Sequence, residues 1–292
     1  MDQGEHSLYL ESIDMHLHGI SLGGICTSMQ LAEAGLCIDC GVITHRNVRT
    51  PHLALTHGHV DHAGGLALLL GNRRLQRLDD LQIYLPEIMV DPMSKILHEW
   101  TNIQGHPFDF KLHSVHEEAR FDLGRNLSLR PFRTTHGIPS FGYTVVRHKR
   151  KLLEEFHGLS GPEIAALKQK GVEITRTEEE ALISFSGDTM FSAMIDDPLV
   201  PRSKVIVTEL TFLGDGSDSS PARSDRDHAH KGTHTHLDDL IENLDKLHCE
   251  ELVLMHLSRK HTVDEAKVGI LKRLPEEWHE KVHFFHHQDR RA

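Results

Sequence analysis

The sequence predicts a layered domain of strands and helices, in the α/β or α+β class. Two observations predict it. Six short apolar or β-branched runs of strand length each stop at a polar residue, and stretches with helical spacing of apolar residues lie between several of them. Alternation of that kind is satisfied by sheets covered with helices. At 292 residues the chain suits one large domain and can bury a sizeable core.

The strand candidates come in chain order. "LCIDC" ends near Asp39, "HLALT" just before His57, and "LSLRPFRTT" just before His136. "ALISFSG" ends before Asp188, "SKVIVT" before Glu209, and "LVLM" before His256. Helices are expected in "AGGLALLLGNRRLQ", "SGPEIAALKQK", "HLDDLIENLDKLH" and "TVDEAKVGILKRL". The second of these starts with Ser160 and carries Glu163 three residues on, with Pro162 in the first turn, a capping-box pattern. "LGDGSDSSPARSDRDHAHKG", residues 213–232, is rich in Ser, Asp and Gly and is expected to be a mobile loop. There is no Pro-, Gly- or Ser-rich linker and no internal repeat, so one domain over 1–292 is expected.

Composition narrows the class. Hydrophobic residues make up 38% and charged residues 26%, which suits a soluble globular protein. No apolar run approaches the roughly 18–20 residues that span a bilayer. The amino-terminal "MDQGEHSLYLES" is acidic and polar, unlike a signal peptide, so no membrane association and a cytoplasmic setting are expected. Cys37 and Cys40 form a CxxC, but no second pair completes a zinc site, and reduced buried thiols are expected. The net charge of -11 opposes nonspecific nucleic-acid binding by the whole surface. "RHKRK", residues 147–151, is either a local basic patch or a solvated strand end.

The chain holds 26 histidines, so crowding alone marks no site. "THGHVDHAGG" is different in kind. His57 and His59 follow a strand and project the same way with period 2, so they can share one ion. Asp61 and His62 follow in the turn and can face a second. Glycines on both sides let the backbone turn tightly. Imidazoles mixed with a carboxylate suit Zn²⁺, and also Mn²⁺ or Fe. His136, Asp188 and His256, each just past an apolar run, complete a dinuclear shell.

This set, HxHxDH followed by His136, Asp188 in "GDT" and His256, resembles the metallo-β-lactamase superfamily. The resemblance implies an α+β fold, a four-layer αββα sandwich. It implies that His57, His59 and His136 hold one ion, that Asp61, His62 and His256 hold the other, and that Asp188 bridges both. Asp39 would orient the HxHxDH loop from behind. Finer motifs, "VTELTF" with Glu209 and Thr211 and "GTHTHLDD" with His234, resemble ribonuclease Z, the tRNA 3′-processing endonuclease, in its short form. "THGIPSFGYTVV" and "MHLSRKHT" are also similar. In place of that family's Gly-Pro-rich arm, a short insertion around 148–180 is expected.

What the resemblance implies is a metal-dependent phosphodiester hydrolase acting on precursor tRNA. A metal-bridging hydroxide would attack the phosphodiester, and His234, oriented by Glu209, would protonate the leaving 3′ oxygen. The candidate catalytic residues are thus Asp61, Glu209 and His234. Ser140, His236, Ser258 and Arg259 are candidate substrate contacts, whereas Tyr143 is expected to pack. His228 and His230 are expected to be solvated loop residues. His16 and His18 in "DMHLH" lack the metal pattern and are read as strand or loop residues. A homodimer is implied. A second reading, a hydrolase of a small phosphodiester, thioester or lactone, uses the same metals but needs no Glu209–His234 pair.

Overall fold

The computed structural model describes residues 5–214, 225–258 and 262–285. Among them lie two seven-stranded sheets. The first holds β1 (His6–Leu10), β2 (Met15–Leu22), β3 (Cys26–Leu31), β4 (Leu36–Ile38), β5 (His52–Ala54), β6 (Leu81–Pro86) and β7 (Phe110–Val115), paired in that order. Between β5 and β6 come α1 (Val60–Ala63) and α2 (Leu66–Leu75), and α3 (Glu87–Gln104) joins β6 to β7. The second sheet holds β8 (Phe121–Gly124), β9 (Leu127–Arg133), β10 (Phe141–Leu152), β11 (Thr175–Phe185), β12 (Val205–Glu209), β13 (Glu251–Met255) and β14 (Val282–Phe284). Its helices are α4 (Gly161–Gln169) after β10, α5 (Ser192–Asp196) after β11, α6 (Asp225–Gly232) and α7 (Leu237–Ile241) after β12, and α8 (Val263–Arg273) after β13.

Side-chain alternation explains the layers. Along β5, Leu53 and Leu55 join the helices α2 and α3 in one apolar cluster, while Ala54 turns the other way into the central core. Along β12 and β13, Ile206, Leu252 and Leu254 pack with α5, α7 and α8, while Val207, Val253 and Met255 face the central core. Strands covered on both faces have no need of alternating polarity, which is why "SKVIVT" and "LVLM" read as continuous apolar runs. The result is helix, sheet, sheet, helix, the α+β sandwich expected.

All six predicted strand runs are strands. The helix expected over "HLDDLIENLDKLH" is shorter, because α7 ends at Ile241 and a 3-10 turn, Leu244–Lys246, follows. The loop expected over 213–232 is corrected at its end: residues 225–232 form α6, which carries His228 and His230. Its middle lies outside the described residues. The longest helix, α3, escaped the sequence reading. Pro92 sits inside it, and Ile88, Ile96, Trp100 and Ile103 are exposed, so its apolar positions do not form one buried stripe.

The segment around 148–180 is a ribbon. β9 accompanies β10 only as far as Arg147, and β12 accompanies β11 only over Ile183–Phe185. Among the described residues, the strand pair from His148↔Glu179 to Leu152↔Thr175 therefore has no neighbouring strand on either side. At its end lies α4, begun by the predicted Ser160–Glu163 capping box and burying none of its side chains. The basic run faces acids across the ribbon. Lys149 pairs with Glu180 at 2.8 Å, Lys151 with Glu178 at 2.5 Å, and Arg147 with Glu180 at 3.7 Å. Replacing Glu178 and Glu180 together by Gln should uncover this positive strip. Retention on a heparin column should rise, and the thermal midpoint should change little, since exposed pairs contribute little stability.

Candidate metal centre

Topology gathers the candidate residues. Asp39 follows β4, and His57 lies just past β5, its parallel neighbour. His136, Asp188, Glu209 and His256 lie at or just past the ends of β9, β11, β12 and β13, which run in one direction. Strands with a common direction finish at one edge, so the segments beyond them converge.

Asp39 anchors the arrangement. It has φ 59° and no exposure. Its Oδ1 accepts the Thr56 N–H at 2.7 Å, and its Oδ2 accepts the Thr56 hydroxyl at 2.8 Å and His62 Nδ1–H at 2.7 Å. Close backbone packing completes the support. A Cβ on Gly41 would lie 1.7 Å from the Asp61 carbonyl oxygen. Gly187 has φ +60°, and a Cβ there would meet the Thr56 side chain at 2.7 Å. Asp61 and His62 stand on the one-turn helix α1, whose amino-terminal cap is His59.

Two donor groups result. In the first, His59 Nδ1 lies 3.0 Å from His57 Nε2 and 3.2 Å from His136 Nε2. In the second, His62 Nε2 lies 3.7 Å from Asp61 Oδ2 and 3.4 Å from Asp188 Oδ1. His256 Nε2 lies 3.8 Å from Asp61 Oδ2 and 3.5 Å from Asp188 Oδ2. A tetrahedral zinc ion with bonds of ~2.0–2.1 Å spaces its ligands about 3.3 Å apart. The spacings fit such ions, and so does the hydrogen bonding. Among the described residues, buried His62 Nε2 and Asp188 Oδ1 have no hydrogen-bond partner. His57 with His62 and Asp188, and Asp188 with His234 and His256, form further groups able to hold a metal.

Charge is distributed unevenly. Burial, reinforced by neighbouring His62, pushes His57 down to about 2, so it stays a neutral donor. Burial opposes charge on His62 too, but the carboxylates of Asp39 and Asp188 outweigh it and raise the imidazole well above its usual range. Burial also lowers His136.

Behind the second group lies Glu209, with no exposure. Its Oε1 accepts Thr189 N–H and His234 Nδ1–H, both at 2.8 Å, and its Oε2 accepts the Thr211 hydroxyl at 2.5 Å. His234 Nδ1 lies 3.9 Å from Asp188, so the nitrogen nearest that carboxylate is already engaged by Glu209. Burial tends to lower His234, but the Glu209 hydrogen bond and charge outweigh it and raise its pKa. Its ring stacks 6.0 Å from His256 and stands 5.2 Å from His136.

The other candidates separate. Ser140 is nearly buried, accepts the Thr134 hydroxyl at 2.6 Å, and lines a cavity of about 800 Å³ that begins at His136 and reaches Pro86–Ile88, His116 and Arg133. Tyr143 packs as expected, with its hydroxyl on the Leu55 carbonyl at 2.7 Å. His236, expected as a substrate contact, is 2% exposed and instead caps α7 by accepting Asp238 N–H at 3.1 Å. His230 stands on α6 rather than in a loop, with its side chain 39% exposed and meeting Asp239 at 2.8 Å. Ser258 is half-buried three residues past β13, and Arg259 lies outside the described residues. The sequence reading missed Thr56 as a functional residue, although its position between a strand end and His57 was visible.

Residues 44–257 match the β-lactamase superfamily domain. The chain is 32% identical over 260 residues to the chloroplastic tRNase Z TRZ2 of Arabidopsis thaliana, covering 88% of this chain and 71% of that one. It belongs to the ribonuclease Z family of the β-lactamase superfamily. The tRNase Z TRZ1 of the same plant is 29% identical over 87% of this chain and 89% of its own. Among solved structures, human tRNase Z, short form, superposes with a TM-score of 0.56 at 19% identity, covering 82% of this chain and 91% of that one. The metallo-β-lactamase fold protein YhfI of Bacillus subtilis gives 0.60 at 13% identity over 91% and 93%. These last two likenesses establish the fold.

In this ribonuclease Z family member, Asp39→Asn should remove a carboxylate that serves both donor groups. Affinity for added Zn²⁺ should fall by about 10–100-fold in a chelator competition titration. Unchanged affinity would show that the carboxylate does not support the donor shell.

Proposed function

We propose that this chain is a metal-dependent endoribonuclease that removes the 3′ trailer from precursor tRNA. The observation that carries this reading is the buried Glu209 carboxylate holding His234 at 2.8 Å beside both donor groups. A hydrolase of small thioesters or lactones need not carry such a pair.

His57, His59 and His136 would hold one divalent ion, and Asp61, His62 and His256 the other, with Asp188 shared. The neutral and anionic N and O donors suit Zn²⁺, and Mn²⁺ or Fe as second choices. Two such ions supply Lewis acidity towards the phosphoryl oxygens and make water nucleophilic at neutral pH.

The chain's own residues do the rest. Asp61, whose carboxyl the adjacent His256 holds down at about 2, stays ionised. As the new P–O bond forms, the P–O3′ bond breaks, and the 3′ oxygen takes a proton from His234 Nε2. Glu209 keeps the opposite nitrogen engaged and offsets the imidazolium charge. The products are a 3′-hydroxyl on the tRNA body and a 5′-phosphate on the trailer. The cavity from His136 and Ser140 to Arg133 gives unpaired nucleotides beside the cut a place to lie, since RNA is read where its bases are splayed out. Ser258 and Arg259 would contact the substrate backbone. One domain with the ribbon as its insertion, a homodimer, and a cytoplasmic setting belong to the same reading. No described helix is long and apolar enough to cross a membrane.

With Zn²⁺ or Mn²⁺, the purified protein should cut a precursor tRNA once, after the discriminator base. Cleavage of an aryl phosphodiester with none of precursor tRNA would overturn the substrate assignment. His234→Ala should retain both ions by elemental analysis while RNA cleavage falls by about 10²–10⁴-fold. Loss of one ion would instead make His234 a ligand.

A further inference from the structure

Thr56 and Thr211 stand in matching positions. A threonine hydroxyl has one proton to give and lone pairs to receive. Thr56 Oγ1 lies 2.8 Å from Asp39 Oδ2 and 3.0 Å from His57 Nδ1. An ionised carboxylate only accepts, so the hydroxyl proton points to Asp39 and His57 Nδ1 must be the donor on the other side. The Nε2 lone pair of His57 is then fixed towards His59, 3.0 Å away. Thr211 Oγ1 lies 2.5 Å from Glu209 Oε2 and 3.0 Å from His256 Nδ1. The same logic gives His256 a protonated Nδ1 and an unprotonated, accepting Nε2. The Gly24 N–H, 3.4 Å from His256 Nε2, agrees, because it needs an acceptor there.

We propose that Thr56 and Thr211 are paired positioning residues, one for each metal, which fix the tautomer and aim of His57 and His256 by relaying a buried carboxylate through a hydroxyl. The proposal rests on the ligand assignment above. Its economy lies in the carboxylates. Asp39 directly holds His62 and, through Thr56, His57. Glu209 directly holds His234 and, through Thr211, His256. Each acid thereby orients two imidazoles, one directly and one through a hydroxyl. The second relay also ties the proton donor to the metal shell, so His234 and His256 keep a fixed mutual position. A metal-binding imidazole is aimed by what its other nitrogen bonds, and loss of such a partner weakens metal binding about 10–100-fold.

The test compares Thr56→Val, Thr211→Val and the two serine variants as full-length protein. Zn²⁺ affinity would be followed by chelator competition, and the histidine Nδ1–H protons by NMR of the zinc-loaded protein. Thr56→Val should weaken one ion about 10–100-fold and remove the slowly exchanging Nδ1–H signal of His57 alone. Thr211→Val should weaken the other ion and remove the His256 signal alone. Both serine variants should restore ion and signal. If a valine variant does not fold, the alanine variant, which introduces no added bulk, gives the same reading. Valine variants that bind both ions with wild-type affinity and keep both signals would overturn the relays while leaving the ligand assignment standing. Wild-type protein that binds fewer than two ions, or binds them unchanged after His57→Ala and His256→Ala, would remove the ligand assignment and the relays with it.

Discussion

Asp39 follows its strand in a left-handed conformation, fully buried, with a carboxylate whose partners lie in the adjoining HxHxDH loop. The loop does so with one backbone N–H, one hydroxyl and one imidazole N–H. Hydrogen bonds to a charged acceptor are stronger than neutral ones, roughly 1.5–3 kcal/mol each, and their loss in a dry interior leaves the charge exposed to a low dielectric. Folding the first sheet therefore also folds the HxHxDH segment. Thr56 extends the effect across the sandwich, because its carbonyl accepts the Phe141 N–H at 2.9 Å and so ties the end of β5 to the start of β10. The donor shell is positioned by hydrogen bonds among the chain's own groups.

Glu209 repeats the arrangement on the other sheet, with a different outcome. Both acids are buried at strand ends, and both receive a threonine hydroxyl and an imidazole. The imidazole on Asp39 is His62, whose free nitrogen faces Asp61 and Asp188. The imidazole on Glu209 is His234, whose ring keeps partial access to solvent. On the proposed reading, the same local chemistry would yield a donor for a cation in one place and a donor of protons in the other. What separates them is which face of the ring meets carboxylates and which meets open space.

Much of this was legible because the chemistry sits where periodicity changes. A strand-length run ending in His, Asp or Glu leaves a mark that needs no long-range information, and His57, His136, Asp188, Glu209 and His256 all carried it. Residues whose role depends on a partner far along the chain carried none. Thr56 reads as the last residue of "HLALT" until Asp39, 17 positions away, lies beside it. His236 sits in the same histidine-rich tract as His234, and only the fold turns one towards Glu209 and the other under a helix end. α3 was hidden for a related reason: its buried side is narrow, with Leu97 its one fully buried residue, and its exposed side is nearly as apolar.

The acidic balance of the chain places a physical limit on how it can meet RNA. A protein of net charge -11 gains no general attraction for a phosphate backbone. The obvious basic run is opposed by Glu178–Glu180 across the ribbon, so its field is largely cancelled at distances beyond about 8–10 Å in physiological salt. On the proposed reading, the donor centre would itself be a source of positive potential once it held divalent ions. On that reading, recognition would depend on bringing a phosphate to that centre, beside the cavity lined by His136, Ser140 and Arg133. On this account the metals contribute to binding as well as to chemistry, and metal occupancy should change the Michaelis constant for RNA along with the turnover rate.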